Sequence, residues 1–362
     1  VALWGQLGSV IELVSGAALA GVGTGIAVFV AHGPDPGALR RALALGLGAS
    51  AGVALAALQL GWLFPEYFGW LVLGAAVGWL SVVPGVFNGY WMGLRERGKM
   101  LALAFATALL PLGAALAMPE GLILGSAALA LAAPALLLLF FLPRPAAAPA
   151  GLERYLLPGL SIGILSPAAM IAARALVAEG LSWHDAGLLQ ALWRVADWVA
   201  SIAGGILMLV YLPRLGAAAG TARFGAELRR AQLAIALPSA LAYAALFALQ
   251  RPVLALLYDE TFAVSDASAA LYFAGSALRV AAWVPLMALY ALRRTGAIAL
   301  GELLSLPLFA ALLALWPGPP SLEAAGVMWL AAYLAYAAFN LLAARRGMVP
   351  RKGFEPPQCC HR

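Results

Sequence analysis

Apolar runs, each close to the length of a membrane crossing, follow one another from end to end of this 362-residue chain. The bilayer core offers no water to backbone N–H and C=O groups, so a spanning segment must be an α-helix or part of a closed β-barrel. Barrel strands would show as ~10-residue alternating segments, and the sequence has none. A spanning helix needs ~20 apolar residues. Eleven runs answer to that: 3–30, 43–64, 68–93, 100–118, 121–142, 155–178, 187–212, 231–250, 268–291, 297–316 and 324–344. The predicted fold class is all-α, a polytopic membrane protein in two helical bundles. Composition agrees, since only 10% of residues are charged and the mean hydropathy is +0.93, where soluble domains carry ~25% charged residues.

The basic residues sort by loop. Arg40 and Arg41, Arg95, Arg97 and Lys99, Arg144 and Arg154, the Arg214–Arg230 group, Arg293 and Arg294, and the C-terminal tail make up one side. That side holds 18 of the 22 basic residues, the other only Arg251, and three lie inside spans. The positive-inside rule makes the first side, with the C-terminus, cytoplasmic. The net charge of +6 is thus a topology signal helped by the lipid bilayer's anionic surface, and no nucleic-acid partner is expected.

The chain also repeats. Leu39-Arg40-Arg41-Ala42 returns as Leu228-Arg229-Arg230-Ala231, and Leu94-Arg95 returns as Leu292-Arg293, both on the basic side. Repeats of the same orientation are related by an axis along the membrane normal. The expected domains are an N-terminal bundle of five helices over 1–142, a cytoplasmic linker over 143–154, a six-helix bundle over 155–344 and a disordered tail over 345–362. Five against six leaves the first bundle one helix short. Val1 would also start outside with no signal peptide to carry it there. The expectation is a missing first helix, lost from a fragment or encoded upstream of a GTG codon taken as the start. The only cysteines, Cys359 and Cys360, sit in the tail, with no disulfide framework and no metal-binding spacing. No metal or cofactor is expected.

Six ionisable residues fall within spans: Glu12, Arg174, Arg194, Asp197, Arg279 and Glu302. A charge at mid-bilayer costs about 2.5–3.5 kcal/mol on insertion scales, so it faces a bundle interior or an aqueous cavity. Arg194 and Asp197 share a helix face and could neutralise each other. Arg174 is near its helix end and could snorkel to the interface. Glu302 could reach water or cap a partner helix. Arg279 sits at the middle of its span with no acid within four residues, so its partner must come from another helix or a ligand. Pro158 and Pro167, in the first helix of the second half, are hinge candidates because a proline removes a backbone hydrogen bond and bends a helix. The three histidines are far apart, and no GxSxG or P-loop is present. The chain is expected to be a transporter and not an enzyme.

The stretch Met170–Pro213, with its Ser-Trp-His-Asp turn and an acid three turns into the next helix, resembles the middle of the bacterial O-antigen and common-antigen lipid-linked oligosaccharide flippases. Leu257-Tyr-Asp-Glu-Thr-Phe262, then Gly275-Ser-Ala-Leu-Arg-Val-Ala-Ala-Trp283, then a Glu-bearing helix follow in that family's order. These flippases belong to the multidrug/oligosaccharidyl-lipid/polysaccharide exporter superfamily. The resemblance implies translocation of an undecaprenyl-pyrophosphate oligosaccharide across the bacterial inner membrane by alternating access, with a polysaccharide polymerase and chain-length regulator as partners. It implies phosphate or sugar contacts for Arg279, Arg174 and Arg194, and proton coupling or counter-charge for Asp197, Glu302 and Glu12. A small-molecule or drug cation antiporter of the same superfamily is the alternative; buried carboxylates without deep arginines would favour it, and here arginine is present. A polymerase or ligase would need a large extracytoplasmic loop, and the longest here is about Arg251–Asp266.

Overall fold

The computed structural model describes residues 2–30, 35–59, 68–119, 122–142, 152–292 and 294–347. Among these there is no strand. The helices in chain order are α1 (Ala2–Ala18), α2 (Thr24–Phe29), α3 (Pro36–Gln59), α4 (Phe68–Gly93), α5 (Arg97–Ala117), α6 (Ile123–Leu139), α7 (Leu156–Gly180), α8 (Trp183–Ile206), α9 (Leu212–Ala218), α10 (Phe224–Ala248), α11 (Gln250–Leu257), α12 (Asp266–Ala291), α13 (Thr295–Leu303), α14 (Leu306–Ala314) and α15 (Leu322–Gly347). Nine spans among the described residues are long and apolar enough to cross a membrane, and the bent pair α1–α2 makes a tenth. With α6, one turn shorter, they account for the eleven runs. The chain is a multi-pass membrane protein.

Several helices outrun their apolar stretches. Arg40 and Arg41, expected in a loop, lie in the second turn of α3, and Arg229 and Arg230 lie inside α10. Helix α15 carries Arg345 and Arg346 in its last turn, where the tail was expected to begin. The apolar run marks the hydrocarbon slab, whereas the helix continues through the interface, where long basic side chains reach water. The connection between the apolar runs 155–178 and 187–212 shrinks to Leu181 and Ser182. The Ser182 hydroxyl caps α8 by accepting from the Asp185 N–H at 3.0 Å, which draws His184 and Asp185 into the first helical turn.

The chain divides into two compact units, Leu3–Ile171 and Ala172–Arg362 with Val1–Ala2. The boundary falls within α7, after Ile171, while residues 143–151 of the expected linker lie outside the described ones. Within the first unit α4 packs against α3 and α6, and α5 packs against α6. Within the second, α12 packs against α10 and α15, and α13 and α14 pack against α15. The packing of α3, α4 and α6 in the first unit thus parallels that of α10, α12 and α15 in the second.

Helix α4 meets α1 and α2 along a row of glycines. A Cβ on Gly78 would fall 2.8 Å from the Ile11 carbonyl oxygen, and one on Gly93 2.5 Å from that of Ala27. Lipid removes the hydrophobic drive between helices, so close backbone contact of this kind is what van der Waals packing needs there. Beside the row, Val22, Ile26, Val82, Val86 and Phe87 are buried. By contrast α5 buries no residue, and Leu101, Phe105, Leu109 and Leu116 stand more than half exposed. In a membrane that face meets acyl chains at no cost.

Candidate functional site

Three helices of the second unit bring polar side chains together at one-turn spacing. Gln190, Trp193, Arg194 and Asp197 follow the i, i+3, i+4 rule on α8. Tyr272, Ser276, Arg279 and Trp283 do so on α12, and Trp329, Tyr333, Tyr336 and Asn340 on α15. Close approach of α12 and α15 rests on Gly275, which faces the Trp329 indole with no room for a Cβ, and on Gly326, where a Cβ would lie 2.9 Å from Leu271 Cβ.

Arg279 is paired. Its guanidinium donates to Asp197 Oδ1 at 2.5 Å, with the arginine side chain 13% exposed and the aspartate 34%. Its charge also lies over two indole faces, 5.5 Å from the centroid of Trp283 and 6.0 Å from that of Trp329. The acid missing from the neighbouring turns of α12 thus comes from α8. Asp197 does not pair with Arg194, as their i, i+3 spacing suggested, because Arg279 holds it from across the bundle. Arg194 is half-buried and has no ion pair among the described residues. Tyr243 on α10 donates to the Ala196 carbonyl at 2.9 Å, fixing the backbone next to Asp197.

Arg174 does not snorkel. It is fully buried, donates to Gln190 Oε1 and stands 5.8 Å over the Trp193 ring. The reason lies in α8: Gln190 offers a carbonyl and Trp193 a π-face inside the bundle, so the short climb to the interface gains nothing. Between the two arginines lies an aromatic block. The Trp193 and Trp329 centroids are 5.3 Å apart, Phe309 stands perpendicular to Trp329 at 5.2 Å, and Tyr333 stands beside it at 4.7 Å. The Trp329 indole N–H donates to the Tyr272 carbonyl at 3.2 Å, satisfying the one polar atom of that ring.

Glu302 forms a second centre. The span expected as one helix over 297–316 is broken after Leu303, and α14 restarts at Leu306 with Pro307 in its first turn. Proline cannot donate to the preceding turn, so the break follows from its position. Glu302, at the break, is 9% exposed. Its Oε1 accepts from the Tyr336 hydroxyl at 3.0 Å, and the Ser305 hydroxyl donates to its backbone carbonyl at 2.6 Å. No arginine or lysine pairs with it among the described residues. One turn beyond Tyr336, Asn340 is fully buried with neither side-chain polar atom bonded. Its Oδ1 lies against Gly301, 2.7 Å from where a Cβ would stand. Tyr336, Asn340, Gln190 and Trp329 escaped a reading centred on charge. Their signal was present in the sequence, as amides and tyrosines at turn spacing within apolar runs.

Of the remaining candidates, Glu12 lies on α1 in the first unit. Pro167 is inside α7, whereas Pro158 falls in its first turn, where no helical hydrogen bond is lost to proline. No three His, Cys, Asp or Glu among the described residues could share a metal ion.

No protein-family model and no curated protein matches the sequence. Solved structures do match. An inward-facing multidrug resistance MATE family transporter of the MOP superfamily aligns with a TM-score of 0.72 over 96% of this chain and 94% of its own, at 14% identity. The chain has the fold of the MATE transporters. An outward-facing MATE transporter aligns at 0.65 over 95% of this chain and 85% of its own, at 15% identity. MATE in complex with MaL6 aligns at 0.69 over 96% and 88%, at 14% identity. On that MATE fold, the ion pair and the Glu302 centre both belong to the second of the two units.

Proposed function

We propose that this chain is an alternating-access membrane transporter that exchanges a small amphipathic organic cation for protons. The single observation that carries the reading is Glu302, a buried carboxylate at a break in a spanning helix with neutral hydrogen-bond donors and no cationic partner among the described residues. Broken helices in transporters place backbone carbonyls and acids around coupling ions. A carboxylate held by a hydroxyl and not by an arginine can give up its charge to a proton. The fold similarity supports transport, because solved MATE structures include inward- and outward-facing forms.

The pairing of Arg279 weakens the phosphate reading. A cationic cavity for a pyrophosphate rested first on an unpaired Arg279, and Arg279 is neutralised by Asp197. The lipid-linked oligosaccharide flippase remains the second reading. It is favoured by Arg194, which keeps its charge without an ion pair among the described residues. Either reading places the arginine-bearing loops in the cytoplasm. Impermeant thiol labelling of Glu260→Cys but not Lys99→Cys in intact cells, with Cys359 and Cys360 replaced, checks that orientation.

The deciding experiment uses proteoliposomes with an imposed pH gradient. Ethidium movement dependent on the gradient, and lost in Glu302→Gln at unchanged protein content, supports the cation antiporter. No ethidium movement, together with restored surface O-antigen in a flippase-deleted strain, replaces it with the oligosaccharide reading.

A further inference from the structure

A groove of about 470 Å³ opens beside the arginine-bearing end of α3 in the first unit, lined by Arg40, Arg41, Leu43, Leu47, Leu139 and Leu142. The α3 residues Arg40, Leu43 and Leu47 follow the i, i+3, i+7 spacing of one helix stripe. The stripe is basic at the helix end and apolar below it. Over those seven residues α3 descends about 10 Å into the membrane. The opposite wall comes from Leu139, the last residue of α6, and from Leu142 beyond it. Arginines near the end of a spanning helix extend their side chains to the interface, so Arg40 and Arg41 stand at phosphate depth and the leucines at acyl depth.

The charge is not fully used within the protein. Arg41 donates through Nε at 3.1 Å and through a terminal nitrogen to Glu153 Oε1. Arg40, half-buried beside it, has no ion pair among the described residues. One full positive charge therefore remains at the mouth of an apolar groove. In the repeat counterpart Arg230 likewise pairs with an acid, Glu227 on its own helix at 3.2 Å, but Arg229 is exposed where Arg40 is half-buried.

We propose that this groove is a binding site for one anionic glycerophospholipid of the surrounding leaflet. The phosphate is held by Arg40 and the outer face of Arg41, and an acyl chain lies along Leu43, Leu47 and Leu139. A guanidinium presents paired N–H donors to phosphate oxygens, and basic pockets between spanning helices take lipid headgroups. The inference is independent of what the protein transports.

Native mass spectrometry of the full chain in detergent, titrated with dioleoyl-phosphatidylglycerol or dioleoyl-phosphatidylcholine, tests it. Wild type is expected to bind phosphatidylglycerol about tenfold more tightly than phosphatidylcholine, and Arg40→Gln/Arg41→Gln to lose that preference. Ala44 also lines the groove, so Ala44→Trp fills it while keeping both arginines, and is expected to lose the preference as well. Arg229→Gln/Arg230→Gln is expected to keep it. Glu153→Gln releases Arg41 and is expected to tighten phosphatidylglycerol binding by roughly two- to fivefold, a gain that misfolding cannot mimic. Equal binding of the two lipids by wild type overturns the proposal, as does a preference that survives Ala44→Trp, which would mark diffuse surface charge. Displacement of phosphatidylglycerol by a polyprenyl pyrophosphate at tenfold lower concentration also overturns it, assigning the groove to a lipid-linked cargo.

Discussion

Asp197 on α8 and Arg279 on α12, 82 residues apart in sequence, meet in an ion pair that ties the two helices together inside the second unit. Removing one partner of such a pair strands the other in a low-dielectric site, a loss of about 3–5 kcal/mol for a fully buried pair. Asp197 is one-third exposed, which puts the expected loss near the lower end. Asp197→Asn and Arg279→Gln should therefore each lower membrane abundance and thermal stability in detergent. The exchange Asp197→Arg/Arg279→Asp should recover much of both. A double exchange no better than the singles would show that the pair is not the source of the loss.

Asn340 is predicted to separate stability from transport. A buried amide with no bonded polar atom carries a desolvation penalty of about 1–3 kcal/mol, and an apolar residue of the same shape does not. Asn340→Leu should leave the melting temperature unchanged or raise it. If Asn340 serves the Glu302 centre during transport, gradient-driven flux should fall in the same variant. Lower stability in Asn340→Leu would mean that the amide is satisfied by a partner, and the prediction would be wrong.

The glycine contacts predict strong local intolerance. Gly78→Leu must displace the Ile11 carbonyl, and overpacking of this kind costs about 1–3 kcal/mol or more. Gly48 and Gly52, which have open space around them, should accept alanine or leucine with no loss. Comparing the melting temperatures of Gly78→Leu and Gly52→Leu in one detergent checks the contrast.

Acid sensitivity is expected at one loop. Asp259, after α11, accepts from both the hydroxyl and the backbone N–H of Thr261. These bonds hold its carboxyl below the usual carboxylate range. A depressed value means the loop is ordered above the unfolded carboxylate pKa of about 3.9 and loosens only as pH falls through the lower folded value. No change is expected between pH 7 and about 5. Thr261→Val removes the hydroxyl donor and should move the Asp259 titration upward, as read by carboxyl NMR of labelled protein.

The sequence was most readable where chemistry changes along the chain. Eleven apolar runs became helices because lipid leaves the backbone no other solution, and the arginine clusters marked one set of ends. It was least readable across the helices. Helices α4 and α5 are both apolar over nearly their whole length, yet ten residues of α4 are buried and none of α5. A helix that is apolar on every face does not announce which face meets protein. The same blindness hid the partner of Arg279. Spacing along one helix can propose Arg194 with Asp197, but no local pattern encodes a contact made 82 residues away. The break at Leu304 and Ser305 was foreshadowed by Pro307, although proline occurs within several unbroken helices here, as at Pro84 and Pro285.

The glycine row on α4 bears on how the first unit can deform. A seam filled with long side chains can yield by rotamer changes, absorbing a push as a cushion does. At Gly78 and Gly93 there is no cushion, because the backbone of one helix rests almost directly on the carbonyls of the other. Force applied to α1 and α2 is passed straight into α4. These helices should move as one stiff strut, leaving any bending to segments where side chains still separate the backbones.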